Sequence, residues 1–329
     1  MHKRYVGIAV AVAVLGAALA AHGQWTWTPE TGRFVNLKKL PKETPELQVE
    51  FARSLMLEGQ YKKALRETNK FENYYGDSDY ADENQFLRGE IRMAQGKHMA
   101  AAKEFQQVVA NYPESDLYED VIAKQYEIGD FYYDRGERNV ARRVWRPFRK
   151  RPFTRAIEVY NMVIDNQPFT AEAAEAQYKV GLCHFTLEEY IEAAYEYQRV
   201  VEDYGTSDWV DEAGYGLAMC YYNASLPPEY DQAPSYLAIR SIDEFKGRFP
   251  GDSRGAELDG KRVEMRERIA AQRLKTAQFY EKRRKFEAAR IYYEVVTEQF
   301  PETVSAGQAQ EWLDTNPQGT TPGAEPEAT

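Results

Sequence analysis

The sequence is poor in the residues that most often build metal and catalytic sites. It has only two cysteines and four histidines in 329 residues, and their spacings fit no zinc-ligand pattern. Cys183 and His184 are adjacent, and adjacent residues on a helix point about 100° apart, so they do not form a nucleophile and its base. The sequence also lacks a GxSxG motif and a phosphate-binding glycine loop. We therefore expect no metal, no cofactor and no catalytic residue.

Basic residues are in the minority. The sequence has 42 Lys and Arg against 52 Asp and Glu, which gives a formal net charge of -10. Proteins that bind nucleic acid do so through a basic face that neutralises phosphates. We therefore expect no nucleic-acid partner.

Long apolar runs are absent apart from one near the N-terminus. A basic start precedes an apolar stretch from Val6 to Leu19 and then small residues, which is the layout of a secretory signal peptide. The stretch is shorter than the roughly 20 residues that span a bilayer, so an uncleaved membrane anchor is the less favoured alternative. We expect residues 1–23 to be a signal peptide, cleaved after Ala20 or Gly23, and the protein to be exported. No cysteine follows the apolar run, so no lipidation cysteine is evident there.

A repeated pattern occupies most of the chain. In its clearest copy, Gly181 is followed after twelve residues by Ala193, and Tyr197 and Val200 follow on the same helical face. A Pro or Gly closes each copy twelve residues after its central alanine. The six central alanines are Ala64, Ala101, Ala156, Ala193, Ala238 and Ala289.

This spacing predicts pairs of antiparallel helices. Small residues let two helices approach closely, and Pro or Gly ends the second helix. Each pair leaves an apolar face that only a neighbouring pair can cover, so the pairs stack. We predict an all-α superhelical solenoid of about six helix hairpins over residues 46–314. A short C-terminal capping helix ends near Trp312 and Leu313.

The third copy contains a basic insertion at residues 141–155. The pattern stops at Ala141, twelve residues after Gly129, and resumes at Ala156. Prolines within it argue against one continuous helix, so we expect a protruding loop. Its candidate contact residues are Arg142, Arg143, Trp145, Arg146, Phe148, Arg149, Lys150 and Arg151. Three roles are open: contact with anionic lipid head groups, contact with an acidic face of a partner, or pairing with acids on neighbouring repeats.

An apolar side chain recurs in the first helix of each copy, and it is aromatic in the four middle copies. It lies three residues before the small residue of that helix, and other aromatic residues lie about one turn further on. In a repeat solenoid such positions tend to face a concave groove, where tyrosine suits an extended peptide or protein partner. The alternative is ordinary packing between repeats. The candidate groove residues are Phe86, Tyr126, Tyr133, Tyr178, Phe185, Tyr215 and Tyr222.

The two cysteines, Cys183 and Cys220, occupy equivalent positions in consecutive copies. Equivalent residues on stacked helices lie about 8 to 10 Å apart, whereas a disulfide needs Cα atoms within about 7 Å. We predict two buried free thiols.

Two segments flank the repeats. Residues 24–45 contain two Trp and a Phe in "QWTWTPETGRFVN", and we expect an extended segment. It either caps the first repeat or is captured as a strand by a partner. Residues 315–329 are rich in Pro, Gly, Thr and Glu, and we expect a disordered tail.

The helix pairs resemble tetratricopeptide repeats, and residues 231–313 resemble the last repeats of the BamD family. The resemblance rests on "DQAPSYLAIRSIDEF", on the long linking helix through "RVEMRERIAAQRLKTAQFYEKR", and on the short closing helix. It implies a periplasmic scaffold, associated with the outer membrane, in the machinery that inserts β-barrels there. The implied partners are barrel-assembly components or unfolded outer-membrane proteins. Members of that family usually carry a lipid on the first mature cysteine, which this sequence lacks.

Two other functions remain open from the sequence. One is a periplasmic repeat adaptor that coordinates cell-wall synthesis or cell division. The other is an enzyme acting on wall polymers, which would need a pair of carboxylates in a deep cleft. Nothing in the sequence requires such a pair.

Overall fold

The computed structural model describes residues 25–28, 33–36 and 40–316. The predicted signal peptide and residues 317–329 of the predicted tail lie outside these ranges. The described residues form an all-α tetratricopeptide-repeat fold of six helix hairpins and one further helix, preceded by a short β-hairpin. They fall into two compact units that divide between Ile128 and Gly129.

Unit 1 holds the β-hairpin and the first two helix hairpins. Strands β1 (Trp25–Thr28) and β2 (Arg33–Asn36) pair antiparallel, with Trp27 opposite Phe34; this is the regular part of the segment predicted to be extended. The helices are α1 (Pro45–Leu57), α2 (Tyr61–Tyr75), α3 (Ala81–Ala94) and α4 (His98–Asn111), and α5 (Tyr118–Ala141) crosses the division between the units.

Unit 2 holds the remaining hairpins and a closing helix. Its helices after α5 are α6 (Arg146–Asn166), α7 (Ala171–Thr186), α8 (Tyr190–Asp203), α9 (Val210–Ala224), α10 (Ala233–Arg248), α11 (Gly255–Lys282), α12 (Phe286–Gln299) and α13 (Val304–Thr315). Helix α13 covers the last hairpin, and Trp312 stacks on Tyr293 with ring centroids 4.3 Å apart. Among the described helices, none is both long and apolar enough to cross a membrane.

The predicted small residues lie where paired helices touch. All six central alanines are fully buried. A Cβ atom added to Gly89 would lie 2.4 Å from the Phe105 ring, and one added to Gly181 would lie 2.8 Å from the Tyr197 ring. These glycines therefore leave the space that the aromatic of the second helix fills. The predicted hairpin fold is confirmed.

Buried glutamines also link the two helices of a hairpin by hydrogen bonds, and the sequence pattern did not predict these contacts. Gln48 donates from Nε2 to the backbone oxygen of Glu67 at 3.0 Å, and Gln85 donates in the same way to Glu104 at 2.9 Å. Each glutamine lies four residues before the small residue of its helix. The hydrogen bond satisfies a carbonyl of the second helix and links the two helices at one register.

Several hairpin turns contain one residue with a left-handed backbone conformation, at the same position in each turn. Gly59, Gly96, Glu188 and Arg284 have positive φ, and each lies seven residues after the small residue of its first helix. In the third hairpin the residue with positive φ is Arg143, which lies fourteen residues after Gly129. The usual turn has therefore moved seven residues along the chain.

The prediction of a protruding loop at residues 141–155 is wrong for most of that segment. Helix α5 continues to Ala141 and α6 begins at Arg146, so only the short turn between them is non-helical. The insertion lengthens α5 by seven residues and α6 by eight, which is about two helical turns each. Whole turns preserve the buried face. Pro147 lies in the first turn of α6, where a proline needs no hydrogen-bond partner.

The lengthened hairpin repeats the glycine contact. A Cβ atom on Gly129 would lie 2.5 Å from the Tyr160 ring, and one on Gly136 would lie 2.7 Å from the Phe153 ring. Tyr160 and Phe153 are both fully buried. The added turns therefore pack as the original hairpin does.

Both cysteines are buried and free, as predicted. Burial raises the pKa of the Cys183 thiol well above its usual value, mainly because the thiolate would lose its water. Burial shifts the pKa of the Cys220 thiol in the same direction.

Candidate partner-binding surfaces

The end of the α5–α6 hairpin carries most of the predicted basic contact residues. We call residues 142–149 the hairpin tip. Trp145 is 72% exposed and Phe148 is 58% exposed, and their ring centroids lie 5.9 Å apart. Arg142 and Arg143 are exposed as well. The side chains of Arg146 and Arg149 fall outside the described part of the structure.

Lys150 forms a contact between the α5–α6 hairpin and the α7–α8 hairpin. Its Nζ lies 2.5 Å from Oε1 of Glu189, at the turn that joins α7 and α8. His184 Nδ1 lies 2.9 Å from the other oxygen of Glu189. Partial burial favours the neutral acid, but the hydrogen bonds from Lys150 and His184 outweigh it and lower the pKa of Glu189. One predicted basic residue thus pairs with an acid, whereas the hairpin tip extends beyond that turn.

In unit 1 the predicted groove residues are only partly accessible. Phe86 is 8% exposed, and its ring centroid lies 5.1 Å from that of Phe105 within the same hairpin. Tyr126 is half-buried. Phe86 is therefore part of the hairpin core.

In unit 2 the predicted groove residues are half-buried, and four of the five pack against another aromatic ring. Tyr178 stacks on Trp209 with ring centroids 4.9 Å apart. Tyr133 meets Phe153 edge to face at 5.8 Å. We call Tyr133, Tyr178, Phe185, Tyr215 and Tyr222 the unit 2 aromatic row. The partner Trp209 was missed, because this contact joins separate hairpins and leaves no periodic signal.

The last two members of the row lie against charged side chains of α11. The Tyr222 hydroxyl donates to Glu264 at 2.6 Å, and the Lys261 ammonium lies 4.2 Å from the Tyr222 ring centroid. The Tyr215 hydroxyl lies 3.3 Å from Glu257 in the same arrangement. Tyr215 and Tyr222 are seven residues apart, as are Glu257 and Glu264. Helices α9 and α11 are therefore linked by two equivalent sets of polar contacts.

Arg254 joins this surface to the loop before α11. Its guanidinium lies 4.9 Å from the Tyr215 ring centroid and donates to Glu212 at 2.7 Å and to Asp252 at 2.6 Å. The side-chain hydrogen bond from Arg254, helped by its backbone N–H, lowers the pKa of Asp252 to about 2. Asp252 therefore stays charged at all ordinary pH values.

An open cleft of about 810 Å³ lies beside the row in unit 2. Phe169 lies at its edge and is 90% exposed. Its acidic lining residues are Glu172, Glu175, Asp203, Asp208, Asp211 and Glu212. Within the described residues, no group of three or more His, Cys, Asp or Glu side chains is arranged to hold a metal ion. The cleft thus combines an exposed ring with negative charge.

Comparison with known families decides the identity of the fold. The model of the outer membrane lipoprotein family YfiO matches residues 134–318, which is more than half of the chain. The chain belongs to this family. A tetratricopeptide-repeat model also matches residues 83–115, which contain α4 and most of α3. The predicted resemblance to BamD-like tetratricopeptide-repeat proteins is confirmed.

Several solved structures are similar to this member of the outer membrane lipoprotein family. A tetratricopeptide repeat protein from Parabacteroides merdae is 15% identical over 82% of this chain and 97% of its own, with a TM-score of 0.32. The C-terminal part of a repeat protein from Cytophaga hutchinsonii is 17% identical over 82% and 88%, with a TM-score of 0.34. A thermophilic repeat protein from Thermus thermophilus is 15% identical over 68% and 98%, with a TM-score of 0.32. No curated protein matches the sequence significantly.

Family membership indicates the general role of the protein, which is to bind other proteins. Tetratricopeptide repeats and the outer membrane lipoprotein family are protein-binding adaptors, and this chain is one of them.

Proposed function

We propose that the protein is a periplasmic scaffold that binds protein partners during the assembly of β-barrel proteins in the outer membrane. Its partners are barrel-assembly components or unfolded outer-membrane proteins, and it works without catalysis of its own. The observation that carries the proposal is the family match over residues 134–318, which covers nearly all of unit 2. The signal-like N-terminus supports export.

The unit 2 aromatic row is the proposed partner surface. Half-buried tyrosines offer a large contact area at a small cost in side-chain entropy, and they keep a hydroxyl for a hydrogen bond. Their rings are already held by Trp209 and by the charged side chains of α11. A partner would thus meet a pre-organised surface. The hydroxyls of Tyr215 and Tyr222 are held in the same way, by Glu257 and Glu264 of α11.

The proposed role is tested by site-specific photo-crosslinking in cells. A photoreactive amino acid replaces Tyr178, Phe185 or Tyr222 in turn, and the crosslinked proteins are identified by mass spectrometry. We expect barrel-assembly components or outer-membrane proteins among the products. The matched control is Tyr195, which is 63% exposed but lies on α8, the second helix of its hairpin.

The control separates a specific surface from general exposure. Equal crosslinking at Tyr195 and at Tyr178 would contradict the role of the row. Recovery of cell-wall or division enzymes, without any barrel-assembly component, would replace the proposal with the cell-wall adaptor role.

A further inference from the structure

We propose that the hairpin tip and the arginine cleft beside it bind the surface of an anionic phospholipid membrane. The arginine cleft is the space of about 230 Å³ lined by Tyr132, Arg135, Asn139, Phe148, Arg151, Pro152 and Arg155. This binding mode stands apart from the proposed assembly role, and either could fail without the other.

The first observation is the exposed aromatic pair at the tip. Trp145 and Phe148 touch each other rather than a buried core, and more than half of each side chain is exposed. Indole rings favour the boundary between lipid head groups and acyl chains, because one edge is apolar and the other donates a hydrogen bond. By contrast, Phe153, five residues further along α6, is fully buried against Gly136. The exposure is therefore specific to the end of the hairpin.

The second observation is the arginine cleft. Its lining has no carboxylate, and Arg135, Arg151 and Arg155 form no ion pair with any residue that the structure describes. Arg155 lies 5.4 Å from the Tyr132 ring centroid, which holds the guanidinium in place. Three arginines that line one cleft and form no ion pair within the described residues match a phosphate group, which accepts hydrogen bonds from the planar fork of arginine.

The spacing of the two features fits a lipid surface. Arg151 and Arg155 follow Phe148 by three and seven residues, so they lie about 4.5 and 10 Å behind it along the helix axis. The head-group layer is roughly 5 to 8 Å thick on each side of the hydrocarbon. With the aromatic pair at the hydrocarbon boundary, Arg151 lies at the depth of the phosphates, and Arg155 lies just outside the head-group layer.

The local charge favours this docking despite the acidic chain. Residues 138–156 contain eight Lys or Arg and no acid, although the formal net charge is -10. Screening limits exposed charges to a range of about 8 Å at physiological salt, so the charge near the contact decides. Lys150 pairs with Glu189, so that acid near the tip is already neutralised by a basic residue of α6. An acidic protein is the alternative occupant of this surface, and the experiments below separate it from a membrane.

The test is co-sedimentation of the full chain with vesicles. One set contains equal parts of phosphatidylglycerol and phosphatidylcholine, and the other contains phosphatidylcholine alone. We expect binding to the first set only. The variant Arg135→Gln/Arg151→Gln/Arg155→Gln and the variant Trp145→Ser/Phe148→Ser should each bind about tenfold or more weakly, since each basic residue near an anionic surface contributes severalfold. The charge-matched control Arg240→Gln/Arg283→Gln/Arg284→Gln, with arginines elsewhere in unit 2, should bind as the natural protein does.

A second measurement reports depth and does not depend on the arginine variants. Vesicles with brominated acyl chains should quench part of the tryptophan fluorescence, and Trp145→Phe should remove that quenching. Equal binding to both vesicle sets, tip variants that bind normally, or an equal loss in the control would overturn the proposal. Absence of vesicle binding together with tight binding to an acidic protein would assign the surface to a protein partner instead.

Discussion

Asn139 donates its side-chain amide to the backbone oxygen of Phe148 at a distance of 3.2 Å. Pro152 lies four residues after Phe148 inside α6 and has no N–H to donate to that oxygen. The amide of α5 thus supplies the hydrogen bond that the proline cannot. A proline in the interior of a helix is expected to end it. The hydrogen bond from Asn139 explains why α6 continues through Pro152.

This relationship predicts a coupled pair of substitutions. Asn139→Ala should lower the free energy of unfolding by about 1 kcal/mol, because the Phe148 oxygen loses its donor. In the Pro152→Ala background the same change should cost much less, since the backbone N–H of the new alanine would donate in its place. Chemical denaturation of the four proteins measures the coupling.

Asn223 is the matched control for this cycle. Its amide also donates to a helix carbonyl, that of Met219 at 2.8 Å, but a helix N–H is available to that carbonyl. Asn223→Ala should therefore change stability by less than about 0.5 kcal/mol. An equal cost for Asn139→Ala in both backgrounds would show that Pro152 is not the reason for the contact.

Gly89 predicts a reversal of the usual glycine effect. Replacing a mid-helix glycine with alanine ordinarily stabilises a helix by roughly 0.5 to 1 kcal/mol. At Gly89 the added Cβ would lie 2.4 Å from the Phe105 ring, so Gly89→Ala should destabilise by about 1 to 3 kcal/mol. A Cβ atom added to Gly260, within α11, would meet nothing within 4 Å, and Gly260→Ala should stabilise. Thermal and chemical unfolding compare the two; two stabilising substitutions would contradict the close contact between α3 and α4.

Asp252 predicts a low titration midpoint. Its carboxyl resonance, followed by NMR, should titrate near pH 2 rather than near its ordinary pKa of 3.8, because Arg254 hydrogen-bonds the charged form. The folded-state pKa is the lower one, so the contribution to stability is present above pH 3.8 and disappears as the pH falls toward 2. Arg254→Gln should return the midpoint toward 3.8, whereas Arg262→Gln, which changes a contact with Asp243, should not. A midpoint near 3.8 in the natural protein would refute the contact.

The cysteines predict slow thiol chemistry. In the folded protein Cys183 and Cys220 should react with an aromatic disulfide reagent only as fast as the protein unfolds, because both are buried and their pKa values are raised. Denaturant should release two rapidly reacting thiols. Rapid reaction of either thiol under native conditions, or a peptide bridged through both, would contradict the buried free state.

The repeat could be predicted because it obeys one spacing. Central alanines such as Ala193 must touch the facing helix, so they recur at a fixed distance from the closing residue and leave a signal in the sequence. The lengthened hairpin could not be predicted, because the turn at Arg143 lies seven residues beyond the usual position and Pro152 suggested a break in the helix. Only the contact with Asn139, a residue of the other helix, removes that conflict, and no local rule contains it.

The candidate surfaces were predicted less completely than the fold. The positions of Tyr178 and Tyr222 follow from helical periodicity, but their neighbours Trp209 and Lys261 come from other hairpins. Such contacts depend on how hairpins pack, and their sequence separations vary with every inserted residue. The exposure of Trp145 and the burial of Phe153 also required the structure, since both belong to the same basic and aromatic stretch.

The insertion of whole turns makes the α5–α6 hairpin adjustable in length. Since seven residues return a helix to within about 20° of the same orientation, both helices can gain or lose two turns while the aromatic of one still meets the glycine of the other. A shortened hairpin would keep Gly129 against Tyr160 and dispense with Gly136 and Phe153. The length of the α5–α6 hairpin, and with it the distance of the hairpin tip from the other hairpins of unit 2, can therefore change without a change of fold.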